Sequence, residues 1–134
     1  MTAPLDLAAI CRWLPHRGPA LLIDRVLDHG AGLALAWRQV RPDDPLLAPC
    51  AFGGVLLAEA MAQACAFAHP LGGPDRPALL AGLTLRVRGV VRPGDGLLLR
   101  ATLLRHRAGL ARFDTRAEVA GQCLAEAQIT LAEG

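Results

Sequence analysis

The chain has 134 residues, 53% of them hydrophobic and 19% charged, which suits one folded domain over residues 1–134 and excludes a disordered chain. It contains no Lys, Ser, Asn or Tyr, which excludes a Schiff-base lysine, a serine nucleophile and a tyrosine acid. The formal net charge is +2, but residues 76–116 carry +7 and the remainder −5, so the second half should present a basic surface suited to an acidic partner or a phosphate.

The first third of the sequence predicts a short helix and a pair of strands. The helix spans Leu5–Leu14 and ends before Pro15, because proline lacks the N–H and its ring obstructs a continuing helix. Two strands follow, Ala20–His29 and Leu33–Val40, around a Gly-Ala-Gly turn. Residues 41–54 contain three prolines and two glycines and are predicted to be a loop.

A second helix and several strands make up the rest of the chain. The helix is predicted over Val55–His69, which is rich in Ala, Leu and Met, has no internal Gly or Pro, and precedes Pro70. Strands are predicted at 83–87, 97–106, 111–119 and 123–131, separated by glycine-containing turns. Apolar and polar residues alternate along most of them, which is typical of an antiparallel sheet with one dry face.

These elements predict an α+β fold of the hotdog type. A sheet with one apolar face must be covered, and the second helix is the only long element available to lie in its curl. The sheet should have about five or six strands, and its exposed edge favours pairing of two copies. We found neither a signal peptide nor an apolar run long enough to span a membrane, so we expect a cytoplasmic protein that does not bind membranes.

The second helix carries one carboxylate, Glu59. Between Val55 and Ala68 the only other polar residue is Gln63, so the helix should be buried on nearly all sides. The two lie four residues apart, where the Gln63 amide can donate to the carboxylate. Apolar burial should raise the pKa of Glu59 and suit it to proton transfer near neutral pH. The alternative is that Glu59 lies on a narrow wet stripe or at a dimer contact.

Gly53 and Gly54 precede this helix and are candidates for substrate binding. The first N–H groups of a helix have no intrahelical partner, so they can polarise a carbonyl oxygen. The alternative is that the glycines only let the loop turn into a crowded core. The four cysteines and four histidines show no metal-ligand spacing, so no metal site is expected and the cysteines should be small buried hydrophobes.

Three segments resemble the bacterial 3-hydroxyacyl-[acyl-carrier-protein] dehydratases. They are Leu14–Val26, which reads LPHRGPALLIDRV, then Gly54–Ala64, which reads GVLLAEAMAQA, and the Arg-Pro-Gly-Asp turn at 92–95. The resemblance implies a hotdog dimer with active sites at its interface and a substrate carried on the phosphopantetheine of acyl carrier protein or coenzyme A. It implies removal of water from a 3-hydroxyacyl thioester, giving the trans-2-enoyl product, with no cofactor.

The resemblance also implies roles for single residues. Glu59 falls on the catalytic helix carboxylate, which works with a histidine of the other subunit. Gly54 and Val55 fall on backbone donors near the thioester carbonyl, and Gln63 is a further candidate beside the substrate. However, the family's Gly-His-Phe-Pro-Gly segment is missing, because the loop before the helix is several residues shorter.

Two residues are candidates to replace the missing histidine. Cys50 falls at its position when the loop is counted forward, although a thiol with a pKa near 8.5 is a poor base for this elimination. His16 belongs to the first matching segment, where a structural role or a place near the tunnel mouth is the alternative. The pattern resembles a divergent dehydratase branch without the active-site histidine, some members of which act in aryl polyene-type pathways.

The leading hypothesis is therefore a dehydratase-like hydro-lyase of fatty acid or polyketide-type biosynthesis, with an atypical active site. One alternative is a non-catalytic subunit that pairs with a complete hotdog dehydratase. Another is an acyl thioesterase in which the helix carboxylate activates water. Acyl carrier protein is the expected partner, in a homodimer or a heterodimer. Nucleic acid is not expected, because only 4% of the residues are aromatic and no recognition motif is present.

Overall fold

The computed structural model describes residues 4–30, 32–43, 54–68 and 78–133. Two α-helices and six strands follow one another in chain order, with a 3₁₀ turn at Gly18–Ala20 after the first helix. They are α1 (Leu7–Trp13), β1 (Arg25–Gly30), β2 (Leu33–Gln39), α2 (Gly54–Cys65), β3 (Ala78–Val87), β4 (Gly96–Arg107), β5 (Leu110–Val119) and β6 (Gln122–Glu133).

The strands form one sheet in the order β1-β2-β4-β5-β6-β3, and every neighbouring pair is antiparallel. The central helix α2 packs across this sheet and contacts five of the six strands. The helix-in-sheet arrangement predicted from the sequence is thus confirmed. Among the described residues, no helix is long and apolar enough to cross a membrane.

The inner face of the sheet is lined by small and medium apolar side chains. On β5 the buried residues are Ala111, Phe113, Thr115 and Ala117, and they alternate with the outward-facing polar residues Arg112, Asp114 and Arg116, as predicted. Alanines at many inner positions let α2 lie close to the strands, and eight of its twelve residues are buried. The predicted burial of the helix is therefore confirmed for most of its length.

Helix α2 ends earlier than predicted. Its α-helical part stops at Cys65, and the chain then tightens into a turn in which the N–H groups of residues 66–68 donate to the carbonyls of residues 63–65. Such three-residue spacing is a usual way to satisfy the last carbonyls of a helix. His69, to which the helix was predicted to extend, lies outside the described residues.

The first strand also begins later than predicted. Residues 18–20 form the 3₁₀ turn, and residues 21–23 are buried without belonging to a strand. The Leu22 N–H donates to the Gln63 side chain at 2.9 Å. This segment therefore pairs with helix α2 through a side chain, which is why the ladder of β1 starts only at Arg25.

The two edges of the sheet differ. The β1 edge is covered by Leu5, whose N–H donates to the Val26 carbonyl at 3.0 Å. Strand β3 forms the other edge, and the apolar Leu83 and Val87 on it are 44% and 47% exposed. The prediction that this strand would be half-buried is wrong for most of it in the protomer, because α2 covers β3 only in part and, of the alternating Leu83, Leu85 and Val87, only Leu85 packs against the core.

Candidate active site

Gln63 anchors the site from helix α2. Its side chain is buried, its Oε1 accepts from the Leu22 N–H at 2.9 Å, and its Nε2 donates to the Ala20 carbonyl at 2.9 Å. The side-chain amide can have only this orientation, because the flipped amide would place its NH₂ group against the Leu22 N–H, and two donors cannot bond to each other. The remaining N–H of Nε2 then donates to Oε1 of Glu59 at 3.1 Å, so the predicted Gln63–Glu59 contact is confirmed.

Glu59 has a second partner that the sequence argument did not assign to it. Nε2 of His16 lies 2.9 Å from the same Oε1 atom, and the two side chains are 30% and 39% exposed. The expectation that Glu59 would be enclosed by apolar groups is wrong, because it lies at the margin of α2 beside the open edge of the sheet. Its surroundings are a histidine, an amide and two cavities.

The position of His16 is fixed by the residue that follows it. The Arg17 guanidinium donates to the carbonyls of Cys11, Leu14 and His16 at 2.6–2.8 Å, so it ties the end of α1 to the His16 backbone. Sequence reasoning missed this role of Arg17. Its signal is the Leu-Pro-His-Arg-Gly-Pro segment, in which a basic residue stands four residues after the helix end and can reach back to the last carbonyls of the helix.

The two oxygens of Glu59 are therefore not equivalent. Oε1 contacts both His16 and Gln63, whereas Oε2 has no hydrogen bond or ion pair to another described residue. Nδ1 of His16 is buried and likewise has no hydrogen-bond partner within the described ranges. The arrangement holds one oxygen of the carboxylate in place and leaves the other available to a ligand.

Two cavities meet at Glu59. The first, of about 290 Å³, is lined by His16, Glu59 and Gln63 and otherwise by apolar side chains, including Leu79 and Leu80 of β3. The second, of about 450 Å³, is lined by Gly54, Val55, Ala58 and Glu59 and by three leucines of β3, Leu80, Leu83 and Leu85. Volumes of this order suit small apolar ligands with a few polar anchoring groups.

The structure thus brings five of the predicted site residues together: His16, Gly54, Val55, Glu59 and Gln63. Gly54 and Val55 form the first turn of α2, whose N–H groups have no partner within the helix. The other two candidates, Cys50 and Gly53, lie outside the described residues, so their roles stay predictions.

The described cysteines differ in how deeply they are buried. Cys65 is fully buried beside the Thr115 hydroxyl at 3.3 Å, and burial raises the pKa of its thiol to about 12. Cys11 and Cys123 are partly exposed, so the prediction that all the cysteines are buried is wrong for these two. Within the described part of the chain, no group of three or more His, Cys, Asp or Glu side chains could hold a metal ion.

Comparison with known proteins identifies the family to which the chain is similar. Residues 8–134 match the family model described as ApeP-like, ApeP dehydratase. The 3-hydroxyacyl-[acyl-carrier-protein] dehydratase FabZ of Nitrosospira multiformis is 35% identical and covers 93% of this chain and 94% of its own length. The FabZ of Shewanella amazonensis is 39% identical, with 96% of this chain and 92% of the relative covered. The resemblance predicted from the three segments is confirmed.

Solved structures give the same fold. The dehydratase heterocomplex ApeI:P from Xenorhabdus doucetiae aligns with a TM-score of 0.80 at 19% identity, over 94% of this chain and 91% of that one. An HP0420 homologue from Helicobacter felis aligns with a TM-score of 0.75 at 12% identity, over 96% and 90%. These neighbours confirm the predicted hotdog fold.

Proposed function

The chain belongs to the ApeP-like dehydratase family, and from this membership we propose that it removes water from a 3-hydroxyacyl thioester delivered by an acyl carrier protein. Its relatives named FabZ are dehydratases of that substrate class. The product is the trans-2-enoyl thioester, an intermediate of fatty acid or aryl polyene-type biosynthesis. The observation that carries the proposal is Glu59, held through one oxygen between His16 and Gln63 at the junction of two cavities.

The reaction needs one proton removed and one proton supplied. A base takes a proton from C2, the C3–O bond breaks, and the hydroxyl group leaves as water after it receives a proton. We assign one of these two transfers to Oε2 of Glu59, the oxygen without a partner among the described residues. His16 and Gln63 act as positioning residues, because both contact Oε1 and so orient the carboxylate.

The start of α2 supplies the third element of the proposed mechanism. Gly54 and Val55 line the same cavity as Glu59, and the first N–H groups of a helix carry partial positive charge. In the proposed complex the thioester carbonyl accepts from these groups. Its polarisation makes the C2 proton more acidic and stabilises the negative charge that develops on the oxygen.

The second proton-transfer group comes from outside the described residues. Cys50 of this chain is one candidate. A histidine of a second hotdog subunit is the other, and the open β3 edge beside both cavities supports it. The site is then completed by a partner chain, in a homodimer or in a heterodimer, the dehydratase ApeI:P being an example of a heterocomplex.

The test offers the purified protein a 3-hydroxyacyl-carrier protein and follows both enoyl absorbance and the release of thiol. We expect enoyl formation without thiol release. Thiol release without the enoyl product would show the thioesterase alternative instead, in which Glu59 activates water. No product of either kind from the protein alone, together with no gain in rate over a complete dehydratase when the two are mixed, would contradict a catalytic role for this site.

A second candidate function is that of a subunit whose site works only in a heterodimer. The same assay separates the two, because this candidate requires that the mixture turn over faster than the complete hotdog dehydratase alone and that the two chains co-elute. A homodimer that turns over at full rate alone, and does not change on mixing, would exclude it.

A further inference from the structure

The segment between α1 and β1 brings His16 to the site, although little regular backbone pairing holds the segment itself. The Leu14 N–H donates to the Ile10 carbonyl and closes α1, and the next backbone bonds are those of the 3₁₀ turn, donated by Ala20 and Leu21. Among the described residues, His16 takes part in no backbone–backbone hydrogen bond. Its place must therefore be set by side chains.

Helix α2 holds the later part of this segment. The Gln63 side chain accepts from the Leu22 N–H and donates to the Ala20 carbonyl, both at 2.9 Å. Neither of these contacts reaches residues 15–18. A second side chain holds those residues, and it is that of Arg17.

Arg17 binds three backbone carbonyls. Its Nη1 donates to the Leu14 carbonyl at 2.6 Å and to the His16 carbonyl at 2.8 Å, and its Nη2 donates to the Cys11 carbonyl at 2.8 Å. In a continuing α-helix the Cys11 carbonyl would accept from the N–H of residue 15, but that residue is a proline and has none. Arg17 supplies the missing donor, and its planar fork spans carbonyls that the single ammonium group of a lysine would not.

Arg17 does not itself face the substrate. It lines neither of the two cavities that meet at Glu59, and no carboxylate of the described residues lies within ion-pair distance of its guanidinium. One of the carbonyls that it binds is that of His16, whose Nε2 lies 2.9 Å from Oε1 of Glu59. The guanidinium is thus one residue away from the contact that orients the carboxylate.

We infer that Arg17 is a positioning residue of the dehydration that acts through His16 on Glu59, an inference that rests on the proposed function. Its guanidinium ties the His16 backbone to the end of α1 and so sets where the imidazole meets Oε1. Without that tie, the His16 backbone has no hydrogen bond to another described residue, and the imidazole can move relative to the carboxylate. A displacement of about 1 Å can lower a rate about 10²-fold. The alternative is that Arg17 only stabilises α1.

Steady-state kinetics of Arg17→Ala and Arg17→Lys, in whichever dimer the wild type is active, distinguish these two roles. Arg17→Ala removes all three hydrogen bonds, and we expect kcat to fall by about tenfold or more with little change in KM. Arg17→Lys keeps the charge but not the fork, so it should fold like the wild type and lose part of the same kcat.

Asp6→Ala is the control for the stability of α1. It removes the cap at the other end of the helix, where Oδ1 of Asp6 accepts from the Ala9 N–H at 2.9 Å. We expect this variant to have a lower melting temperature and an unchanged kcat at temperatures where it is folded. If both Arg17 variants behave in the same way, with wild-type kcat, Arg17 only stabilises α1 and the inference is overturned.

Combination with His16→Leu shows whether Arg17 acts through His16. The contact with Glu59 is already lost in His16→Leu, so adding Arg17→Ala should lower kcat further by less than about twofold. If the two losses multiply in full, Arg17 acts by another route and the inference is overturned.

The imidazole ¹⁵N chemical shifts of His16 separate this inference from the proposed function, because they report the contact with Glu59 without any substrate. We expect the shifts in Arg17→Ala to move from the wild-type values towards those in Glu59→Gln. If they do so while the wild type turns over no substrate, the proposed function fails and the placement of His16 by Arg17 stands. Wild-type shifts in Arg17→Ala would overturn the inference, whatever the activity.

Discussion

A single carboxylate oxygen determines the proposed chemistry at the residue scale. Oε1 of Glu59 is held by His16 and Gln63, and only Oε2 remains for the substrate. The sequence predicted the Gln63 contact, because residues four apart on a helix share a face. It could not predict that His16 would reach Glu59, since that contact depends on how Arg17 fixes the chain after α1.

Substitutions of His16 distinguish a positioning residue from a proton-transfer group. His16→Gln keeps an N–H donor for Oε1 and should retain most of kcat, whereas His16→Leu removes it and should lower kcat by about tenfold or more. Steady-state kinetics of enoyl formation measure both, with little change expected in KM. If His16→Gln loses as much activity as Glu59→Gln, the imidazole itself transfers a proton and the assignment is wrong.

The buried thiol of Cys65 predicts a dependence of stability on pH. Burial raises its pKa from 9.0 to about 12, so the folded state holds the proton more tightly than the unfolded state does. This stabilisation is fully present below pH 9 and is lost as the pH rises towards 12, with a limiting slope of about 1.4 kcal/mol per pH unit.

Urea unfolding between pH 8 and pH 10.5 measures this dependence. The free energy of unfolding of the wild type should fall above pH 9, and Cys65→Ala should show a flatter profile. Cys123→Ala, at a partly exposed position, serves as the control and should follow the wild type. Parallel profiles for wild type and Cys65→Ala would mean that the thiol is not the group responsible.

At the scale of elements, strand β3 is the edge of the sheet whose hydrogen-bonding groups and apolar side chains stay uncovered in the isolated protomer. It presents unpaired backbone groups and exposed Leu79, Leu80, Leu83 and Val87, whereas the β1 edge is covered by Leu5. Such an edge is an aggregation hazard unless another chain pairs with it. The alternating pattern of 83–87 correctly predicted a strand, but it could not show whether the apolar face is covered by this chain or by another.

Leu83→Lys tests the pairing of this edge. A charge in the middle of an apolar edge should dissociate the dimer, because it would be buried without a partner across the interface. Light scattering coupled to gel filtration should show a dimeric wild type and a mainly monomeric variant. Leu104→Lys, at a leucine of similar exposure on β4, should remain dimeric. A Leu83→Lys variant that is fully dimeric would place the interface elsewhere.

The pairing of β2 with β4 depends on a glycine. Gly96 pairs with Gln39, and a Cβ built at Gly96 would lie 2.2 Å from the Trp37 ring. Gly96→Ala should therefore displace the indole and destabilise the fold by about 1–3 kcal/mol. In Gly82→Ala the new methyl meets only Thr130 at 3.5 Å, so that variant is the matched control. Thermal unfolding that ranks the two variants the other way would contradict this packing.

At the scale of the whole molecule, strand alternation and the length of α2 were enough to predict the hotdog arrangement. Two of the boundaries that the sequence missed, at Arg25 and Cys65, occur where a side chain or a tightened turn replaces regular backbone pairing. The sequence also missed the start of β3, which begins at Ala78 and not at residue 83. The uneven charge was visible in the sequence. The pairing of Arg105 with Arg112 on the outer face of the β4–β5 hairpin was not, because that depends on the register of the two strands.

The central claim is that Glu59 is a proton-transfer group of a dehydratase. Its most direct test is the rate of enoyl formation from a 3-hydroxyacyl-carrier protein by Glu59→Gln, in whichever homodimer or heterodimer the wild type is active. Glu126→Gln is the control, because the Glu126 side chain is 40% exposed, against 39% for Glu59, and is likewise in contact with a nitrogen-bearing side chain, that of Arg88. We expect kcat to fall by about 10²–10⁴ in Glu59→Gln and to stay unchanged in Glu126→Gln. Wild-type turnover by Glu59→Gln would contradict the claim.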